Sequence, residues 1–128
     1  PRDNLWMMEM MGVVRNHVEV PPAVPRAPGP FAFEDLEYLG EILSRGGFSD
    51  VDVAAYESLQ PVGGVGATPE QAADFASAAM ATGRLLRDQG EAVVAAAHKD
   101  LVSLFATHHV PGKGVMMQGK VWLVSAIA

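Results

Sequence analysis

The side chains of this sequence best suited to chemistry are four histidines, a close pair of aspartates and a methionine-rich segment near the N-terminus. Histidine titrates nearest neutrality, so acid–base work is sought there first. His17 follows the methionine-rich segment at the entry to a proline-rich stretch, and its bland reading is a helix-end histidine favoured by the negative end of the helix dipole. His108 and His109 suggest a metal, but adjacent residues on a helix point about 100° apart and no third ligand is near in sequence. No metal site is therefore expected. His98 and Asp100 fall on the exposed side of the same helix and read as solvated polar positions. Asp50 and Asp52 lie two apart on a strand and share a face, as an acid–base pair requires, yet without a cleft or a third group they read as solvent-exposed. Trp6 with Met7, Met8, Met10 and Met11 makes an adaptable apolar surface, suited either to lining a hydrophobic ligand pocket or to core packing. No Ser/His/Asp arrangement, phosphate loop or basic aromatic patch is present, and no catalytic residue is assigned.

The chain that must position these groups has 128 residues, 49% of them apolar and 19% charged, which predicts one folded domain over residues 1–128 rather than a disordered segment. Nine Lys and Arg against fifteen Asp and Glu leave a formal charge of -6, and such a surface repels polyanions, so nucleic acid is not an expected partner. The absence of cysteine excludes disulfides, thiolate metal sites and cysteine nucleophiles. No apolar run approaches the roughly 18 to 20 residues that span a bilayer, and no secretory pattern opens the chain, so no membrane association and a cytoplasmic location are expected. A first residue Pro1 in place of methionine is compatible with processing, tag removal or a fragment of a longer protein.

Asn4 or Asp3 can cap a first helix to about Val18, whose apolar residues wrap most of the cylinder. Pro21, Pro22, Pro25, Pro28 and Pro30 then predict an extended, semi-rigid connector over residues 20–33, ending at Phe31 and Phe33. A second helix is predicted over Glu34 to Arg45, with Leu36, Leu39, Ile42 and Leu43 as its stripe, stopped by Gly46 and Gly47. Alternation in Phe48 to Leu59 predicts a strand. After a glycine-rich loop, Thr68, Pro69 and Gln71 supply a cap, an N1 proline and a capping box for a third helix to about Met80, with a short continuation after Gly83. Asp88 to Glu91 opens a fourth helix to about His108, with Val94, Ala97, Leu101, Leu104 and Phe105 inward. The turn at Pro111 to Gly114 leads into a terminal strand in which Val121, Trp122, Leu123 and Val124 are apolar on both faces, the pattern of a strand inside a sheet. Two strands alone make a poor sheet.

The order of these elements, together with Ala27-Pro28-Gly29-Pro30-Phe31-Ala32-Phe33, then Gly47-Phe48-Ser49-Asp50-Val51, and the terminal Trp122-Leu123-Val124, resembles the C-terminal half of a class I S-adenosylmethionine-dependent methyltransferase of the small-molecule type. The resemblance covers nearly the whole chain. It implies that residues 49–59 are strand six and residues 115–127 are strand seven of a seven-stranded sheet, with strand seven inserted between strands five and six. The fold class is then α/β, or α+β for the isolated chain: about four helices and an antiparallel two-strand pair within a Rossmann-like architecture that a partner chain completes. The cofactor half of such enzymes carries an acidic-Gly-x-Gly-x-Gly loop and an acidic residue for the ribose hydroxyls. Neither is in this chain, and Gly63, Gly64 and Gly66 read as a plain loop.

The resemblance thus implies S-adenosylmethionine as methyl donor while leaving no cofactor-binding residue here, so the isolated chain is expected to bind no cofactor. It places the acceptor pocket over the segment holding Trp6, Met7, Met10 and His17, with His17 orienting or deprotonating a small-molecule acceptor. It also turns Phe31 and Phe33 toward the same cavity, unless they only staple the connector. Three explanations stand for the missing half: a fragment, one piece of a split enzyme, or a truncated homologue. The alternative to an enzyme is a noncatalytic dimeric binding or assembly module. In either case the Val115–Ile127 edge is expected to recruit a second copy or a cofactor-half chain.

Overall fold

The computed structural model describes residues 2–128. Along the chain it places α1 (Leu5–Arg15), α2 (Leu36–Arg45), β1 (Ser49–Val62), α3 (Pro69–Ala79), α4 (Ala81–Leu86), α5 (Glu91–His108), β2 (His109–Val110) and β3 (Gly114–Ile127). This is an α+β arrangement with an antiparallel sheet in the order β1-β3-β2. The expected strand pair is β1 with β3, each 14 residues long. The short β2 adds a third strand through the pairs His109 with Val115 and Val110 with Gly114. No helix among the described residues is long and apolar enough to cross a membrane. The residues separate into two compact units, Arg2–Pro21 with Ser58–Gly119, and Pro22–Glu57 with Lys120–Ala128.

The first unit holds the hydrophobic core. Met10 of α1, Ala72, Ala73 and Ala76 of α3, Leu101 and Phe105 of α5, and Val62, Val115 and Met117 of the strands form one buried cluster. Val14, Leu86 and Ala97 form a second, with Val18, Val20, Leu85 and Val94 against it. The α5 positions Ala97, Leu101 and Phe105 recur every four residues and are fully buried, as their spacing predicts.

Local signals set the ends of most of these helices. Thr68 and Gln71 close the reciprocal capping box of α3: the Gln71 N–H donates to Thr68 Oγ1 at 3.2 Å and the Thr68 N–H to Gln71 Oε1 at 2.9 Å. Helix α1 ends at Arg15, short of the expected Val18, with the chain leaving through a turn in which the His17 and Val18 N–H groups still donate to the Val14 carbonyl. Its burial is also narrower than the sequence suggests, because Leu5 and Met8 are exposed while Met10 and Val14 are enclosed. The α3 helix breaks at Met80, whose extended backbone serves as both the end of α3 and the start of α4. Gly83 therefore does not cause the break. It sits inside α4, where a Cβ would collide with the Ser77 carbonyl, so glycine is what lets α4 fold back against α3. The Thr82 hydroxyl fastens the same crossing by donating to the Ala76 carbonyl at 2.7 Å. Gly90, rather than Asp88, occupies the cap position of α5.

The second unit is mostly exposed. The connector is extended only at its start; at residues 25–26 and 28–33 it folds into turns, because proline forbids helix and sheet but favours turns. Arg26 adopts a left-handed backbone at φ 63°. Its guanidinium donates to Asp35 at 3.0 Å and lies 4.3 Å from the centre of the Tyr38 ring, which holds it there. Asp35 also caps α2 by accepting from the Glu37 and Tyr38 N–H groups. The cap places the start of α2 at Leu36, two residues later than predicted. Gly47 takes the expected left-handed position after the helix, at φ 87°. No residue of α2 is buried, and Leu36 and Ile42 of its apolar stripe are exposed.

The terminal strand departs most from expectation. Val115 and Met117 are buried, but Val121, Leu123, Val124 and Ile127 are exposed, Leu123 by 57% and Ile127 by 59%. The predicted burial on both faces is therefore not met within this chain. Trp122 is half-covered, with the Lys120 ammonium 5.2 Å from its ring centre and reaching Glu57 at 3.2 Å.

Candidate functional site

The side chains singled out in the sequence are placed by different elements and do not converge on one pocket. Trp6 stands in the first turn of α1, where Asn4 is the cap residue but its side chain makes no capping hydrogen bond. The Asn4 Oδ1 instead accepts from the Trp6 indole N–H at 2.9 Å, fixing the ring. Trp6 lines an open groove of about 440 Å³ with Gln60, Pro61, Val62, Gly63, Gly64, Phe75 and Met80. Met7 is half-buried on the same helix. Met10 is fully enclosed in the cluster containing Phe105, so a ligand reaches it only if core side chains move.

His17 lies in the turn after α1 and is not among the residues lining the groove. Its Nε2 donates to Asp100 Oδ2 of α5 at 2.7 Å, with the His17 side chain only 16% exposed. A histidine oriented by a carboxylate is the arrangement that prepares a general base, with the other ring nitrogen left to act. Phe31 and Phe33 belong to the other unit, where Phe33 is 50% exposed and stacks on Tyr38 with ring centres 6.3 Å apart.

Two further histidine–carboxylate pairs cross between helices. His98 Nε2 donates to Asp74 of α3 at 2.8 Å, and His108 Nε2 to Glu9 of α1 at 2.5 Å. His98 and Asp100 lie at the surface as read, and each also has a partner on another element, which sequence position does not reveal. His108 and His109 diverge, the former toward Glu9 and the latter into β2. Among the described residues no group of three His, Asp or Glu could hold a metal ion. Asp50 and Asp52 are exposed, and Asp50 departs from regular extended backbone at φ 48°.

The glycine-rich loop has a packing role. A Cβ on Gly63, which sits at φ 80°, would come 2.8 Å from the Ala72 backbone. The Gly66 N–H donates to the Lys113 carbonyl at 2.9 Å, tying the loop to the turn before β3. The following helix satisfies its own first N–H groups through Thr68, so the loop presents no phosphate cradle.

The clearest electrostatic perturbation lies in the second unit. The Arg26 guanidinium, then the Tyr38 N–H, hold the Asp35 carboxyl below its ordinary range, and Asp35 in turn raises Arg26. Comparison of the chain with protein-family models, with curated proteins and with solved structures finds no match.

Proposed function

We propose that this chain is the acceptor-side, C-terminal portion of a class I S-adenosylmethionine-dependent methyltransferase acting on a small molecule. The observation that carries the reading is the edge of β3. On one side it pairs with β1, and on the other, among the described residues, it meets only the two-residue β2, at Gly114 and Val115. Beyond Lys120, residues 121–127 pair with no strand other than β1 among the described residues, and the side chains of Val121, Leu123, Val124 and Ile127 there are exposed. An apolar strand with an open edge suits a sheet continued by a strand from elsewhere, the place strand five takes in the resembled family. The exposed apolar stripe of α2 favours the same view.

The reaction is displacement at the donor's methyl carbon: the carbon–sulfur bond breaks, leaving a thioether, as the acceptor's nucleophilic atom forms the new bond and loses its proton. The donor is S-adenosylmethionine, and its binding residues belong to the complementary half. In this chain His17, hydrogen-bonded to Asp100, is the side chain that the resemblance assigns to orienting or deprotonating the acceptor. Calorimetry tests the assignment. The chain alone gives no heat with S-adenosylmethionine, and a mixture with a polypeptide carrying an acidic-Gly-x-Gly-x-Gly strand-turn-helix gives saturable binding. Tight binding by the chain alone contradicts it.

The same free edge favours a second reading, a noncatalytic module that pairs two copies of β3 about a twofold axis. Solution scattering separates the two: a dimer that Leu123→Lys converts to a monomer supports the module, and a monodisperse monomer at all concentrations opposes it.

A further inference from the structure

We propose that the groove beside Trp6 binds a planar aromatic molecule carrying one hydroxyl group. The proposal concerns binding alone and stands without the methyl-transfer reading. The walls are apolar and partly aromatic: Trp6 from α1, Phe75 and Met80 from α3 and its end, and Pro61 and Val62 from β1. Phe75 is 44% exposed although its neighbours Ala72, Ala73 and Ala76 are fully buried, so its ring lies on the open side of the helix, available to stack. The remaining wall is Gly63 and Gly64, a stretch of backbone without side chains, against which a flat molecule can lie. The groove holds about 440 Å³ and is open to solvent.

Two features make this more than an apolar depression. The first is preorganisation. The Asn4 side chain fixes the Trp6 indole, and at Gly63 the backbone runs so close to Ala72 that only glycine fits. The second is Gln60. It is the one lining residue with a polar side chain, and among the described residues its amide makes no hydrogen bond. It lies across Gly119, whose lack of a Cβ leaves room for it. A primary amide offers both a donor and an acceptor, so a single hydroxyl on the ligand can give one bond and take another. That complementarity selects a phenol-like molecule over a plain hydrocarbon and over an anion, for which the groove holds no cation.

The test uses the Trp122→Phe variant of the full chain, in which Trp6 supplies the only indole N–H signal in a nitrogen–proton correlation spectrum. Titration with 2-naphthol moves that signal saturably, and naphthalene binds about fivefold more weakly, the loss of one hydrogen bond. Gln60→Leu brings 2-naphthol to the naphthalene level and leaves naphthalene unchanged. Phe75→Ala weakens both by about tenfold. Gly119→Ala, which dislodges the amide without removing it, reproduces the Gln60→Leu result should that variant fail to fold. The proposal is overturned if the Trp6 signal does not respond saturably to 2-naphthol, or if the preference for the hydroxyl survives both amide variants.

Discussion

The two halves of β3 contrast sharply. Val115 and Met117 lie in the core with α1, α3 and α5 around them, whereas Val121, Leu123, Val124 and Ile127 stand exposed, although theirs is the half richer in apolar residues. The same holds between helices: α5 buries Ala97, Leu101 and Phe105, while α2, with an equally regular stripe, buries none. Apolar periodicity records what an element is shaped to meet. Burial records what this chain supplies. Where the two agree the element is covered by this chain, and where they differ its apolar side chains stand exposed.

The contrast is broken or sharpened most strongly by truncation on either side of it. Phe105→Ala is expected to lower stability by about 3–5 kcal/mol, because it leaves a cavity among side chains that cannot collapse. Leu123→Ala is expected to change it by no more than about 0.5 kcal/mol. Denaturant unfolding of both variants checks the pair, and similar losses at the two positions would erase the distinction. Gly83→Ala comes next, at about 1–3 kcal/mol, since the added methyl forces α4 away from the Ser77 carbonyl. Thr68→Ala should cost about 1 kcal/mol by opening the α3 capping box, measured the same way.

The smallest effect is expected in the exposed unit, at the Asp35 cap. The folded carboxyl is held below its unfolded value, so its contribution is complete above the usual carboxylate range and is lost as pH falls through the lowered value. The Glu37 and Tyr38 amide signals should hold steady through mildly acidic pH and shift only in stronger acid. Asp35→Asn should remove that step.

Much of the framework was legible in the sequence because it rests on local chemistry. The Thr68 and Gln71 capping box, a left-handed glycine at Gly46 or Gly47 and the inward face of α5 follow from residue types at short spacing, whereas the β1–β3 pairing was expected only from the family resemblance. What escaped depends on contacts distant in sequence. Nothing near Gly83 announces that Ser77 presses on it, and nothing near His98 or Asp100 names Asp74 and His17 as partners. Asn4 stood at the cap position as expected, but its side chain turned to Trp6 because an indole N–H competed with the helix backbone. Of the proposed binding residues, Trp6 reached a groove while Met10 went to the core. A methionine-rich helix cannot declare in advance which of its faces a neighbour will cover. Gln60 and Phe75 went unnoticed, since a lone glutamine in a strand and a phenylalanine in an alanine-rich helix carry no motif.

Hydrogen exchange along residues 116–127 tests most directly whether β3 is built to receive another strand. In the monomeric chain, every second amide should be protected by β1 and the alternating ones should exchange freely. Addition of a cofactor-half polypeptide should protect the alternating set. Uniform protection in the monomer, or fast exchange of that set in the presence of the second polypeptide, would contradict the account.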